Sequence, residues 1–180
     1  MDRLQRASVI IELADELLKK GSWCGETHLQ KVTFFLQDLL KVPLGFDFIL
    51  YKHGPFSFGL SDELTALRAD RLMEYVIKIY PYGPSLVPTK TGEIIKNVFK
   101  RNVDENKPRI DFISGKLRDK GVAELEKLGT ALFITLQERE IIDTTKRAEK
   151  INALKPHISI EEATTAIQEV DQIIHESDSL

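Results

Sequence analysis

"FDFILYKHGPFSFGLSDEL" (residues 46–64) decides how the chain is read. Phe46, Phe48 and Leu50 alternate with Asp47, Ile49 and Tyr51, which predicts a strand over 46–51. Lys52 and His53 then lead into Gly54-Pro55, where glycine supplies unusual dihedrals and proline fixes φ. Ser57 or a neighbour starts a helix over 58–72, with Leu60, Leu64 and Leu67 on one face. The period changes from 2 to 3.6 across a single Gly-Pro pair. Gly54 and Pro55 therefore read as a stiff strand-to-helix corner that needs no catalytic explanation.

On the N-terminal side, Ile10, Leu13, Ala14, Leu17 and Leu18 predict a helix that ends at Gly21. "THLQKVTFFLQDLLK" (27–41) predicts a second helix, with Thr27 as its cap and Gln30 as the reciprocal partner. Its stripe is Leu29, Val32, Leu36, Leu39 and Leu40, and Pro43 and Gly45 stop it. On the C-terminal side, two short extended runs flank Tyr82-Gly83-Pro84 and predict a hairpin. Thr89 caps a further helix with Ile94, Ile95, Val98 and Phe99 expected inside.

The polar stretch "NVDENK" (102–107) precedes Pro108 and marks the expected domain boundary. Beyond it the pattern is helical throughout. Ile110, Ile113 and Leu117 form one run, ending near Gly121, and Leu125, Leu128, Leu132, Phe133 and Leu136 form the next. Ala148, Ile151 and Leu154 precede Pro156. Ser159 and Glu162 form a capping box ahead of Ala163, Ile167, Val170 and Ile174, and the last residues, "HESDSL", are expected to fray. The expected fold is mainly α with a small β element (α+β). A winged-helix-like helical domain over 1–103 is followed by a C-terminal helical part over 104–180.

A length of 180 residues suits one domain, or one domain with an added helical part, and 42% apolar with 29% charged residues is ordinary for a globular chain. The single cysteine, Cys24, excludes an internal disulfide and suggests a reducing compartment. Charges in "MDRLQRASVI" (1–10) do not suit a signal peptide, and no apolar run is long enough to span a bilayer, so a cytoplasmic location without membrane contact is expected.

Net charge is −3, split as +2 over 1–103 and −5 over 104–180. Neither part has the basic excess that drives phosphate binding.

Chemistry-bearing patterns are weak. His28, His53, His157 and His175 form no paired zinc motif, and Cys24-x-x-x-His28 supplies half of a structural site at most. Cys24 stands just before a helix start, which can activate a thiol, but a buried small hydrophobe is the better reading, with His28 as a surface imidazole. Phosphate-loop glycine patterns are absent. Asp62-Glu63 and Glu161-Glu162 occupy helix first turns, where they suit the helix dipole. No enzyme, cofactor or metal is expected.

The ordered set "LQKVTFFLQDLL" (29–40), "DFILYKHGPFSFGLSDELTAL" (47–67) and "VPTKTGE" (87–93) resembles the Panacea (SocA-like) antitoxin domains and the related YwgA-like proteins. The matching residues are Leu29, Gln30, Lys31, Tyr51, Gly54, Pro55, Leu60 and Leu64, and the likeness covers about 4–101. "INALKPHISIEEATTAI" (151–167) is similar to the C-terminal helices of the YwgA-like branch. The chain departs from the more usual Trp-x-x-Gly-Pro or Tyr-Gly-Pro at His53. The resemblance implies a mostly helical, non-enzymatic domain that neutralises a toxin or delivers a target to a protease.

Two functional readings follow. On a winged-helix reading, 57–72 would be a DNA-recognition helix, yet Arg68 and Arg71 are outweighed there by Asp62, Glu63 and Asp70. A protein-binding reading needs no basic patch, and it suits Trp23, Tyr51, Phe56, Phe58, Tyr80 and Tyr82. It is preferred, with Lys52, His53, Phe56 and Phe58 as the expected partner site, a toxin or target protein as the partner, and room for a homodimer.

Overall fold

Helix α1 (Arg3–Lys19) is buried around most of its circumference, so it forms the centre of its unit rather than a surface layer. Asp2 and Gln5 close a capping box at its start, and Gly21, at φ +82°, turns the chain beyond its end. The computed structural model describes residues 1–78, 83–138 and 140–180. It is mainly helical, with two small antiparallel hairpins.

Helix α2 (Glu26–Phe34) is capped by Gly25 and not by Thr27, which lies inside the helix. Gln30 is not a capping partner: its side chain bonds the backbone of Ser57. A π-helical turn (Phe35–Leu39) carries α2 into the loop at 40–48. Gln37 on that turn repeats the device, donating to the Phe46 carbonyl at 2.8 Å and accepting from the Phe46 N–H at 2.7 Å. Two amides seven residues apart thus satisfy backbone that no strand pairs. This is why the expected strand over 46–51 is shorter. Only β1 (Ile49–Tyr51) is extended and paired.

The main correction concerns Gly54-Pro55. These residues are not a strand-to-helix corner but the start of a return strand, β2 (Gly54–Phe56), which pairs antiparallel with β1. Ile49 faces Phe56, Leu50 faces Pro55 and Tyr51 faces Gly54. Lys52 and His53 form the turn, followed by Gly54 at φ +82°, the three-residue hairpin pattern with a left-handed glycine. Ser57 then caps α3 (Phe58–Ala69) as expected, and α3 buries Leu60, Leu64 and Leu67.

Strands β3 (Met73–Val76) and β4 (Ser85–Pro88) form the expected second hairpin. Tyr80 and Tyr82, and with Tyr82 part of the turn expected at 82–84, lie outside the described residues. Thr89 caps α4 (Lys90–Val98) as read, but the helix faces the other way. It buries Gly92 and Lys96, while Ile94 and Val98 are 60% and 66% exposed and Ile95 and Phe99 only half-buried. Two contacts explain this. A Cβ on Gly92 would overlap the Leu72 carbonyl, so only glycine permits the approach. The Lys96 ammonium sits 2.5 Å from Asp15, 3.0 Å from Glu93 and 3.1 Å from Glu12.

Helix α5 (Lys100–Leu117) runs through Pro108, so "NVDENK" is helical and no linker. The division expected at 103/104 falls within this helix. Lys107 adds a second knot on α1, 2.7 Å from Glu12, 2.8 Å from Glu16 and 3.0 Å from Asp111.

Helices α6 (Val122–Gln137), α7 (Thr144–Leu154) and α8 (Ile160–Ser177) complete the chain. Leu125, Leu132, Ala148, Ile151, Ala163, Ile167 and Val170 are buried as expected. Leu154 is exposed, and Ile173 rather than Ile174 faces fully inward. The Ser159–Glu162 capping box is present, and α8 extends over His175–Ser177, which were expected to fray. Arg147 is buried and pairs bidentately with Asp171 at 2.8 and 2.6 Å, fixing α7 to α8.

The chain forms two compact units. The first comprises Met1–Phe48 and Ser57–Asp119, and the second Ile49–Phe56 and Lys120–Leu180. The β1–β2 hairpin therefore belongs with the C-terminal helices.

Candidate functional site

Within the second unit, the hairpin tip meets α6 and the turn between α7 and α8. A Cβ on Gly54 would fall 3.2 Å from the Glu126 carbonyl oxygen and 3.4 Å from Thr130 Oγ1. Gly54 thus meets two demands at once, a left-handed φ and close approach to a helix backbone. Pro55 is buried beside it. Tyr51 and Phe56 bring their rings to 5.8 Å across the strands.

The turn at 155–158 supplies the rest. Lys155 caps the end of α7, and Pro156 prevents the helix from continuing. Ile158 is buried, its N–H donates to the Lys155 carbonyl, and its own carbonyl accepts from Asn152 Nδ2. This tight turn directs Lys155 inward. Its ammonium donates to the carbonyls of Tyr51 and Lys52, each at 2.5 Å, and lies 3.5 Å from Glu126 Oε1.

Glu126 is the buried hub. His157 Nε2 is 3.1 Å from Oε1, and His53 Nδ1 is 3.6 Å from Oε2. Both imidazoles are largely exposed at their outer edges. One carboxylate therefore orients two exposed rings and the lysine that holds the hairpin backbone. Sequence reasoning reached His53 but missed Glu126, Lys155 and His157, which are separated from it by about 70 to 100 positions. The stretch "LKPH" (154–157) was the available signal, because proline after a helix fixes the direction of its neighbours.

Of the residues expected to contact a partner, Lys52, His53 and Phe56 lie together on this hairpin. Lys52 and His53 are exposed and Phe56 is half-buried. Phe58 is exposed on the first turn of α3, in the other unit. Of the motif residues, Leu29, Gln30 and Lys31 are buried on α2, while Tyr51 is 52% exposed.

The nucleophile reading of Cys24 meets a different environment. The thiol is fully buried, its Sγ lies 3.7 Å from the Ala14 carbonyl, and burial pushes its pKa up to about 12. His28 is buried, not a surface imidazole. Its Nδ1 is 3.1 Å from Ser22 Oγ, and burial lowers its pKa against the opposing effects of the Leu117 backbone and Asp119. Among the described residues, no group of three or more His, Cys, Asp or Glu side chains is placed to hold a metal ion, and no helix is long and apolar enough to cross a membrane.

The one basic side chain of α3, Arg68, is engaged by an aromatic ring, and the acidic residue just beyond the helix by an arginine of α1. Arg68 stacks over the Tyr75 ring at 3.7 Å, and Asp70 pairs with Arg3 at 2.7 Å. No protein-family model and no curated protein matches this chain.

Proposed function

We propose that this protein is a non-enzymatic protein-binding module of the antitoxin or proteolytic-adaptor kind, and that it engages its partner through the tip of the β1–β2 hairpin. One observation carries the reading. An exposed turn, Lys52-His53, is held at its base by Lys155, Gly54 and Glu126, so it is presented in one conformation. Preorganisation of this kind lowers the ordering cost of association. Exposed Tyr51 adds the type of side chain that dominates interface cores.

The order α1, α2, α3, β3, β4 supports the winged-helix-like part of the fold reading. The acidic balance of α3 and the stacking of Arg68 favour protein over DNA as the partner. The resemblance of 4–101 to Panacea-like domains points the same way, as does the engagement of the second resembling segment, 151–167, with the hairpin through Lys155.

The test is neutralisation in cells. The gene is co-expressed with any small neighbouring reading frame whose expression alone arrests growth, and growth is followed. Rescue of growth is expected. Failure of rescue, together with nanomolar duplex binding that weakens steeply with salt, would instead establish a DNA-binding regulator.

A further inference from the structure

The two imidazoles of the hairpin site share one buried carboxylate, and their protonation sets the charge of the surface around them. His157 Nε2 lies 3.1 Å from Glu126 Oε1, and a carboxylate only accepts, so that nitrogen carries the proton. A neutral His157 therefore leaves Nδ1 as a lone pair, which repels an incoming anion, and protonation makes the same nitrogen a donor. His53 presents Nδ1 to Glu126 Oε2 at 3.6 Å, and its side chain is 62% exposed at the tip itself.

The charged groups facing the two rings are Glu126 on α6, Lys155 at the end of α7 and Lys52 beside His53. Lys155 and Glu126 lie 3.5 Å apart and cancel. With neutral rings Lys52 alone charges the tip, and protonation of both rings adds two further positive charges. Farther along the packed helices, Lys127 of α6 pairs with Glu162 of α8 at 3.3 Å, and Lys150 of α7 with Glu138 beyond the end of α6, so those charges are already matched. The tip is thus a small cationic spot beside a segment, 104–180, that carries −5. That setting suits a short acidic stretch and repels a long polyanion.

We infer that the tip takes an acidic segment of its protein partner through carboxylates, and that His53 and His157 make this capture tighter as the pH falls from about 8 to about 6. The inference rests on the hairpin tip being the partner surface. The probe is acetyl-hexaglutamate, titrated into isotope-labelled protein at about pH 8 and about pH 6 at one ionic strength, with the amide shifts of Lys52, His53 and Gly54 as the readout. Glutamate titrates at about 4.3, so the peptide stays ionised and any change belongs to the protein. The dissociation constant should fall by about tenfold at the lower pH, the combined effect of two exposed charge pairs. His53→Asn/His157→Asn should bind equally at both pH values, and Lys52→Ala should weaken binding at both while keeping their ratio. Shifts absent from the tip, equal constants for the wild type, a ratio that survives in the double variant, or a short DNA duplex that binds the tip more tightly than the peptide would overturn the inference. Rescue of growth by a protein whose tip is pH-independent would overturn this inference alone. A pH-dependent tip without rescue of growth would support it and overturn only the antitoxin or adaptor reading.

Discussion

The Gln30 side chain and the Ser57 backbone exchange two hydrogen bonds, Nε2 to the carbonyl and N–H to Oε1, both at 2.9 Å. Both residues are fully buried. One amide thus does locally what a neighbouring strand would do, and Ser57 is free to cap α3 with its hydroxyl. Replacing Gln30 by Ala should cost about 2–3 kcal/mol, since a buried N–H and a buried carbonyl lose their partners. Denaturant unfolding measures it, and a change below about 0.5 kcal/mol, the size of an ordinary surface substitution, would contradict the assignment.

Gly54 should tolerate no side chain. Gly54→Ala should destabilise by about 1–3 kcal/mol, because a left-handed φ and the Glu126 backbone both oppose a Cβ. Gly54→Val should cost more than Gly54→Ala. Equal melting temperatures for the wild type and Gly54→Ala would show that the hairpin does not need this geometry.

Lys96 holds three carboxylates on α1 and α4. Lys96→Met should cost about 3 kcal/mol, because it leaves Glu12, Asp15 and Glu93 without this cation in a largely buried site. A Lys96→Met protein as stable as the wild type would show that the network is only surface electrostatics.

The same network predicts a pH dependence. Burial pushes the Glu16 carboxyl up, but hydrogen bonds from Lys107, Lys20 and Lys19 outweigh it and hold the group well below its ordinary value of 4.5. At Asp15 burial likewise acts to raise the carboxyl, and Lys96 and Lys19 together overcome it and hold the group below its ordinary value of 3.8. In acid the unfolded chain therefore binds protons that the folded chain refuses. Stability is complete above about pH 4.5 and falls as the pH drops below it. Unfolding followed between pH 3 and 7 should show this loss, and Lys107→Met should make it shallower, because the folded Glu16 carboxyl then titrates closer to its unfolded value. A wild-type profile flat down to pH 3 would contradict it.

Much of this fold is legible in local sequence. The caps at Thr89 and Ser159, the stripe of α3 and the β3–β4 pair are set by neighbours within a few residues, so periodicity and capping rules reach them. The return strand β2 is not legible, because three residues beginning Gly-Pro look like a turn until a partner strand is known. The facing of α4 is not legible either. Its apolar residues point outward for reasons that lie on α1 and at Leu72, roughly 20 to 80 positions away. The candidate site was half visible. Lys52 and His53 could be singled out, but the Glu126 and Lys155 that hold them come from remote helices.

The central claim is that the hairpin tip is a binding surface whose geometry is set beneath it. The direct measurement is recovery of a co-expressed partner with Lys52→Ala/His53→Ala, set beside the melting temperature of the same variant. The account predicts that recovery falls by about tenfold, equivalent to about 1.4 kcal/mol, while stability changes by less than about 0.5 kcal/mol for each exposed residue. A variant that loses stability but keeps its partner would contradict the account, because the tip would then be structure and the binding surface would lie elsewhere.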